Sequence, residues 1–594
     1  MSEYNAPLKD MKFVIHELAD FDGVSKLSAF EDVSDDLVDP ILDEAARFAR
    51  EVWGALNGPG DQTGSQIEDQ AVVVPAGFAE AYGQFVEGGW QSLGFDPEFG
   101  GMGLPELIAQ TTAEMWQAAN MAFSLCPLLN NGAVTAIQAH ASEELKQTYL
   151  PKMVSGEWSG TMNLTESQAG SDLAAVRSKA VPEGDHYRIS GTKIFITWGD
   201  QPFTDNIVHL VLARLPDAPP GVKGISLFLV PKYLLNADGS IGELNDAYPV
   251  SVEHKLGIHA SPTCVMSFGE NEGAIGYLVG EENNGLACMF TMMNHARLGV
   301  GIQGLGICER SYQAAKAYAS ERVQGKAPGV EGKVTIVHHP DVRRMLMQMK
   351  AFTEAMRALA YVTATTTDFA HHCEDPQQRK EAHARTALLT PVVKAWMTEV
   401  AQEVTSLGVQ IHGGMGFVEE TGAAQHMRDA RILTIYEGTT GIQANDLVGR
   451  KILLDGGKAM EQLLAEMRAL DADLAAGGAE LDAIKIALAA GTQRLEQATN
   501  WLLESAPSDP NLAGSSAFNI LMLTGTVAGG WQMARAALVA SRKLQAGDSD
   551  AEFYQAKLIT TRFYAQQIMP RSAGYFEAAM ASSESTMAMP ETSF

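Results

Sequence analysis

The sequence predicts an α+β protein that is mostly helical: a helical domain, a β domain of barrel or sandwich type, a helical bundle, and an additional helical domain at the C-terminus. Three observations lead there. Apolar residues recur at three- and four-residue spacing in segments such as Asp39-Pro-Ile-Leu-Asp-Glu-Ala-Ala-Arg-Phe-Ala-Arg50. Short β-branched and apolar runs cluster between residues 158 and 288. Helical patterning returns after Gly285 and persists to the end, and 594 residues are too many for one core.

Taken in order, residues 1–35 form an N-terminal extension in which Phe13–Leu18 reads as a short helix. Residues 36–157 are a helical domain; its segment Ala141–Leu150 is expected to stop at Pro151, and Gly94–Leu104 is a glycine-rich loop. The β domain, 158–288, should contain two strands around a Ser190-Gly191 turn within His186–Thr197, and further strands at Ile207–Ala213, Gly224–Val230 and Cys264–Phe268. The bundle, 289–452, follows with helices near 286–320, 340–372 and 378–410. The last domain, 453–594, is helical at Ala479–Glu504 and Ala551–Met569. Residues 510–534 carry no charge, but their four glycines and the amides of Asn519 and Gln532 favour a buried helix over a membrane span.

Composition excludes several classes. A hydrophobic share of 46% with 19% charged residues is ordinary for a globular enzyme. A formal charge of −29 argues against nucleic-acid partners, which require clustered Lys and Arg, and against docking on an anionic bilayer. Cys126, Cys264, Cys288, Cys308 and Cys373 are odd in number and lack C-x-x-C spacing, so they read as reduced thiols, with neither a disulfide framework nor a metal site. The N-terminal residues lack the apolar run of a secretory signal, which makes the cytoplasm the expected location.

The segment Arg431-Ile-Leu-Thr-Ile-Tyr436-Glu437-Gly438-Thr439-Thr440-Gly441 carries the most chemical information. An acid after an apolar, strand-like or buried run is partly desolvated, which moves a carboxylate toward general-base duty. The same residues also suit a plain helix start, with Thr439 or Thr440 as cap. Thr165, Gly170 and Ser171 offer backbone N–H groups and hydroxyls to a ligand carbonyl, or form a simple turn. Phe195 and Thr197 fall on one face of an alternating strand, facing either a planar ligand or the core. Gly299-Val-Gly301-Ile-Gln-Gly304 matches a dinucleotide fingerprint but lacks the preceding strand, so its glycines are expected to permit close helix packing. Arg322 is a guanidinium fork apt for phosphate, or the solvated end of a helix.

Four motifs in order carry a family resemblance over roughly residues 40–450. They are Met162-Asn-Leu164-Thr165-Glu-Ser-Gln-Ala-Gly170-Ser171-Asp172, Gly191-Thr-Lys-Ile-Phe195-Ile-Thr197, Gln410-Ile-His-Gly413-Gly414-Met-Gly416, and Met427-Arg428-Asp429-Ala-Arg431 leading into Ile435-Tyr-Glu437-Gly-Thr439. The set resembles the acyl-CoA dehydrogenases. Resemblance implies their fold, FAD as cofactor, and α,β-desaturation of an acyl-CoA thioester with Glu437 as base, the β-hydrogen leaving as hydride to flavin N5. It also implies an oxyanion hole formed by the Glu437 backbone N–H and a flavin ribityl hydroxyl.

Carried over residue by residue, FAD contacts are expected from Met162, Leu164, Thr165, Gly170, Ser171, Phe195, Thr197, Thr439 and Gly441, and across a subunit interface from Arg322, Gln324, Gln410, Gly413 and Gly414. Substrate contacts are expected from Ser171, Asn294, Arg297 and Gly438. Ser167-Gln168 replaces the usual Pro, Met162 replaces a frequent aromatic, and the Arg322–Lys326 segment is one residue short of the family pattern. Ala296 stands where branched-chain members place their base, so Glu437 has no rival there. The implied partners are an acyl-CoA, an electron-transfer flavoprotein as acceptor, and a second copy of the chain, with the extra C-terminal helices favouring a dimer over a tetramer. Both termini and Gln443–Lys451 are similar to a subgroup of large bacterial members, which includes enzymes acting on 3-methylmercaptopropionyl-CoA in dimethylsulfoniopropionate breakdown and on fatty acyl-CoAs. An acyl-CoA oxidase and a DNA-binding relative of the same fold are the alternatives, the latter disfavoured by charge.

Overall fold

The computed structural model describes residues 3–594; Met1 and Ser2, which open the N-terminal extension, lie outside the described residues. The chain divides into two compact units. One comprises Arg47–Leu104 and Ala119–Gly299; the other comprises the chain up to Ala46, Pro105–Ala118 and Val300–Phe594. Each is described separately.

The first unit combines helices with a sheet. A small hairpin pairs β1 (Gln66–Glu68) with β2 (Ala71–Val73). There follow β3 (Trp158–Asn163), β4 (Lys179–Glu183), β5 (His186–Thr197), β6 (Asn206–Ala213), β7 (Ser226–Pro231), β8 (Tyr233–Leu235), β9 (Ile241–Leu244), β10 (Ala247–Val252), β11 (Thr263–Phe268) and β12 (Ala274–Val279). Eight of these form one sheet in the order β10-β11-β5-β12-β7-β6-β3, with β4 also on β5; β8 and β9 pair apart. All ladders in the eight-stranded sheet are antiparallel except that between β3 and β6. β6 and β7 are buried along their whole length, as continuous apolar runs require.

Two expectations are corrected here. His186–Thr197 is one strand and not two: its first half pairs with β4 and β12 and its second with β11, so Ser190-Gly191 bends a continuous strand. Pro151 does not stop its helix, which runs Glu143–Ser155 and ends where Gly156 adopts φ 89. Proline removes one hydrogen bond near the C-terminal end, and the left-handed glycine supplies the terminator.

The second unit is helical. Pro340–His372 and Pro376–His412 each begin with proline in the first turn, where no N–H partner is lost. Asp375 caps the latter by accepting from the N–H groups of Gln377 and Gln378 at 2.7 and 3.0 Å. The Gly285–Glu321 helix, in which the boundary between the units falls, contains the glycine motif. A Cβ at Gly301 would meet Val393 Cγ1 at 2.5 Å, so the motif serves helix packing, as expected. The charge-free stretch lies in helix Leu512–Gln545; it is long and apolar enough to cross a membrane, yet 72% of its most apolar window is buried within the protein. Its glycines receive Trp396: a Cβ at Gly525 would lie 2.1 Å from that ring.

A buried charge network joins both chain ends to this bundle. Arg357 donates to Glu114 (2.6 Å), Glu309 (2.7 Å) and Asp10 (2.5 Å). Lys557 donates to Glu354 at 2.9 Å and also to Asp10. Burial alone would raise the Asp10 carboxyl, but Lys557 and Arg357 hold it well below the usual range.

Candidate active site

The expected base sits in a sharp reversal of the chain in the helical unit. Of the strand-like or buried run expected, Arg431–Thr434 is the buried alternative, a 3₁₀ turn in which Ile432 O accepts from Ile435 N–H at 2.8 Å; Lys394 Nζ donates to Leu433 O at 2.8 Å and Gln402 Nε2 to Ala430 O, just before the turn, at 2.8 Å. Leu433 and Thr434 are buried, as the apolar run implied. The Tyr436 hydroxyl donates to Gln303 Oε1 at 2.5 Å, and Gln303 Nε2 donates to Gln117 Oε1 at 3.2 Å. Burial, reinforced by the Glu437 charge, pushes the Tyr436 phenol well above its ordinary value.

Glu437 itself is half-buried and adopts φ 55, a left-handed conformation that a residue with a Cβ rarely takes; Gly438 follows with φ 84. The two reverse the chain so that Thr439 can cap the short helix Thr440–Asn445, its Oγ1 accepting from Ile442 N–H at 3.3 Å. Both readings of this segment therefore coexist: an acid in a strained turn, and a capped helix start directly after it. Thr440 Oγ1 donates to Glu399 Oε1 at 2.6 Å, and Gln443 Nε2 donates to Glu437 O at 3.1 Å. Gly441 is exposed.

In the sheet-containing unit, Met162 is the last residue but one of β3, Leu164 is buried and Thr165 half-buried. Thr165 O accepts from Ile194 N–H at 2.9 Å, which ties this loop to the segment bearing Phe195. Phe195 has φ 60 within a bulge between β5 and β11, so strict alternation with Thr197 fails; its ring is 58% exposed. Gly170 and Ser171 lie exposed beyond a tight turn in which Glu166 and Ala169 exchange backbone hydrogen bonds.

Glu166 is the residue that sequence reading missed. Its carboxylate accepts from Lys193 Nζ (2.8 Å), Ser178 Oγ (2.6 Å) and Arg177 N–H (2.8 Å), and Lys193 also donates to Leu164 O at 3.0 Å. Burial would raise the carboxyl, but Lys193 and these donors carry it down to about 2; burial lowers Lys193 to about 8. An acid within an otherwise small, polar loop and a Lys within an apolar strand were the available signals. Arg297, nearly buried, donates to Asn294 Oδ1 at 3.1 Å, and Ala296 is buried beside it.

Returning to the helical unit, Gln410 lies exposed in the last turn of Pro376–His412, which ends at Gly413 (φ 61). Nothing lies within 4 Å of where a Cβ on Gly413 or Gly414 would stand, and Phe417 is 87% exposed just after them. His412 stacks on Tyr318 with ring centres 4.5 Å apart, bringing this loop to the end of the Gly285–Glu321 helix. Arg322 and Gln324 follow that helix, exposed, on either side of an antiparallel bridge between Val323 and Thr335, where Gln324 N–H donates to Val334 O at 3.0 Å. Arg322 is thus just past the helix end, on an extended segment.

Comparison with known proteins agrees with this architecture. The N-terminal, middle and C-terminal domains of acyl-CoA dehydrogenase match residues 40–157, 161–270 and 283–453, and an acetyl-CoA dehydrogenase C-terminal-like domain matches 460–590. A 3-methylmercaptopropionyl-CoA dehydrogenase of Ruegeria pomeroyi is 49% identical, over 95% of this chain and 96% of that protein. A butyryl-CoA dehydrogenase of Syntrophomonas wolfei is 36% identical, over 100% and 99%. The structure of an acyl-CoA dehydrogenase from Bacillus anthracis complexed with FAD superposes with TM-score 0.74 at 23% identity, covering 96% of this chain and 91% of that one. With the Glu437 turn, the Thr165 loop and the glycine loop each present, the chain belongs to the acyl-CoA dehydrogenase family and is an oxidoreductase acting on acyl-CoA thioesters.

Proposed function

We propose that the protein uses FAD to desaturate 3-methylmercaptopropionyl-CoA to methylthioacryloyl-CoA. The observation carrying this is Glu437 in its left-handed turn, within a chain 49% identical to an enzyme named for that substrate. Glu437 takes an α-proton onto a carboxylate oxygen. Bound FAD would supply the acceptor for the β-hydrogen as hydride, which balances the two-electron oxidation. The residues suit that cofactor: the exposed Phe195 ring offers a face for a flat ring system, and the open positions at Gly413 and Gly414 admit a phosphate-bearing chain close to the backbone. Thr165, Thr197, Ser171, Met162, Leu164, Gly170, Thr439 and Gly441 would hold the flavin, and Arg322, Gln324 and Gln410 its pyrophosphate end. Arg297 and Asn294, with Ser171 and Gly438, would hold the thioester portion of the substrate.

The thioester α-proton is weakly acidic, so the developing enolate charge needs a fixed donor. The Glu437 backbone N–H would supply one, and such a donor contributes about 3–4 kcal/mol to the transition state. The exposed Phe417 beside the glycine loop supports a homodimer in which a second copy covers that face. An electron-transfer flavoprotein as acceptor and a cytoplasmic location complete the reading. A short straight-chain acyl-CoA is the second reading, favoured by the full-length similarity to a butyryl-CoA dehydrogenase. A panel of acyl-CoAs varied in chain length and in the atom at the γ-position, assayed with an artificial electron acceptor, separates them. The thioether substrate should give the highest kcat/KM; a clear preference for butyryl-CoA or longer chains overturns the assignment. Peroxide formation without added acceptor would indicate an oxidase.

A further inference from the structure

Glu437 holds a backbone conformation that is unfavourable for any residue with a Cβ, and such strain persists only where neighbours fix it. The neighbour that does so lies six residues on. Gln443 is wholly buried (0% exposed), and its Nε2 donates to the Glu437 carbonyl oxygen at 3.1 Å. The same nitrogen lies 2.6 Å from where a Cβ on Gly438 would stand, so the amide fills the space that glycine leaves open. The orientation of the amide is set by this contact, because the reverse arrangement would face two carbonyl oxygens. Its Oε1 is then left buried without a hydrogen-bond partner.

An orphaned acceptor in a buried position opposes folding, so the one hydrogen bond that the amide makes to the Glu437 carbonyl is offset by its own unpaired Oε1 and adds little net stability. Stability therefore does not account for an amide here, whereas its donor does something specific at the expected base. Fixing the carbonyl fixes the peptide plane that follows Glu437, and with it the direction of the Cα–Cβ bond that aims the carboxylate. Released from that bond, the residue relaxes toward negative φ and the carboxylate swings away from the line of the α-proton. We propose that Gln443 is a positioning residue for Glu437: its side-chain amide clamps the Glu437 carbonyl and holds the base in its left-handed, reactive orientation. This rests on the proposed role of Glu437 as base.

The test is Gln443→Met, which preserves length and volume and removes the amide, with Gln443→Leu as a second variant, both studied as the FAD-loaded enzyme. Thermal stability should change little, because removing the orphaned Oε1 offsets the donor lost to the half-buried Glu437 carbonyl, and flavin content should be unchanged. The rate of flavin reduction at saturating acyl-CoA should fall roughly tenfold, the effect of one lost neutral hydrogen bond on an activation barrier, while KM moves by less than about twofold. The kinetic isotope effect from deuterium at the α-carbon should rise, because proton removal becomes more rate-limiting, while that from the β-carbon should not. Wild-type reduction rates in both variants overturn the inference. So does a loss of rate that merely tracks lost flavin or lowered melting temperature, which marks a structural role. Glu437→Gln measured alongside keeps the two claims apart: an active Glu437→Gln enzyme refutes the base, whereas an inactive one with fully active Gln443 variants refutes only the clamp.

Discussion

Replacing Arg357 by Met tests how the two extra chain ends are held. The guanidinium is 1% exposed and bonded to three carboxylates, two of them, Asp10 and Glu309, from other parts of the sequence, and Glu114, which is fully buried. Around it, four acids (Asp10, Glu114, Glu309, Glu354) face three cations (Lys350, Arg357, Lys557), so its removal leaves the cluster with two surplus negative charges away from water. Breaking a buried pair in this way costs about 3–5 kcal/mol, well above a surface ion pair. For a unit of this size about 1 kcal/mol corresponds to less than roughly 2 °C, so the melting temperature should fall by about 5 °C. The sign of the pH dependence follows from Asp10, whose folded-state value is depressed. Its contribution is fully present above the unfolded value near ~4 and is lost as pH falls through the folded value. Without Arg357 the Asp10 carboxyl rises, and acid-induced loss of stability should begin at a higher pH than in the wild type. Calorimetry of both proteins between neutral pH and pH 3 measures this. An Arg357→Met protein that melts within 1 °C or so of the wild type, with an unshifted acid limb, would refute the view that this cluster fastens the N-terminal extension and the last domain to the bundle.

Three further outcomes are expected. Tyr436→Phe leaves Gln303 Oε1 without the donor it has at 2.5 Å, so denaturant titration should show a loss of about 1–3 kcal/mol. Lys193→Met deprives Glu166 of its charge partner; wild-type stability from that carboxyl is present above about pH 4.5 and lost toward its folded value of about 2, and in the variant circular dichroism should show the acid transition at higher pH. Deleting residues 455–594 uncovers Trp396 and the surface around it, so the truncated protein should aggregate or form larger assemblies, and a soluble, fully active dimer by light scattering would assign that domain another role.

The helical unit was legible because its long apolar periodicities are local: Pro340–His372 has the bounds the sequence suggested, and Pro376–His412 differs by two residues at each end. Glu437 was legible through its neighbours Gly438 and Thr439, which announce a turn and a cap. What escaped depends on partners distant in sequence. The run before Glu437 has the composition of a strand, but it closes on itself through Ile435 N–H to Ile432 O, and the distant side chain of Lys394 takes the Leu433 carbonyl. The bulge at Phe195 follows from the register of β11, over sixty residues later, and nothing within β5 signals it. Lys193 and Glu166 are 27 residues apart, so their pairing was invisible until the loop and strand were juxtaposed. Pro151 shows the opposite error, a local rule overruled because the glycine at 156 terminates the helix more effectively.

The most direct measurement is the reduction of bound FAD by substrate under anaerobic, single-turnover conditions, comparing the wild type with Glu437→Gln. The substitution keeps size and hydrogen-bonding capacity but removes basicity, so the variant should retain its flavin and its affinity for acyl-CoA while bleaching slows by on the order of 10⁴-fold. Bleaching of the variant at a rate near that of the wild type would contradict the assignment of Glu437 as the base.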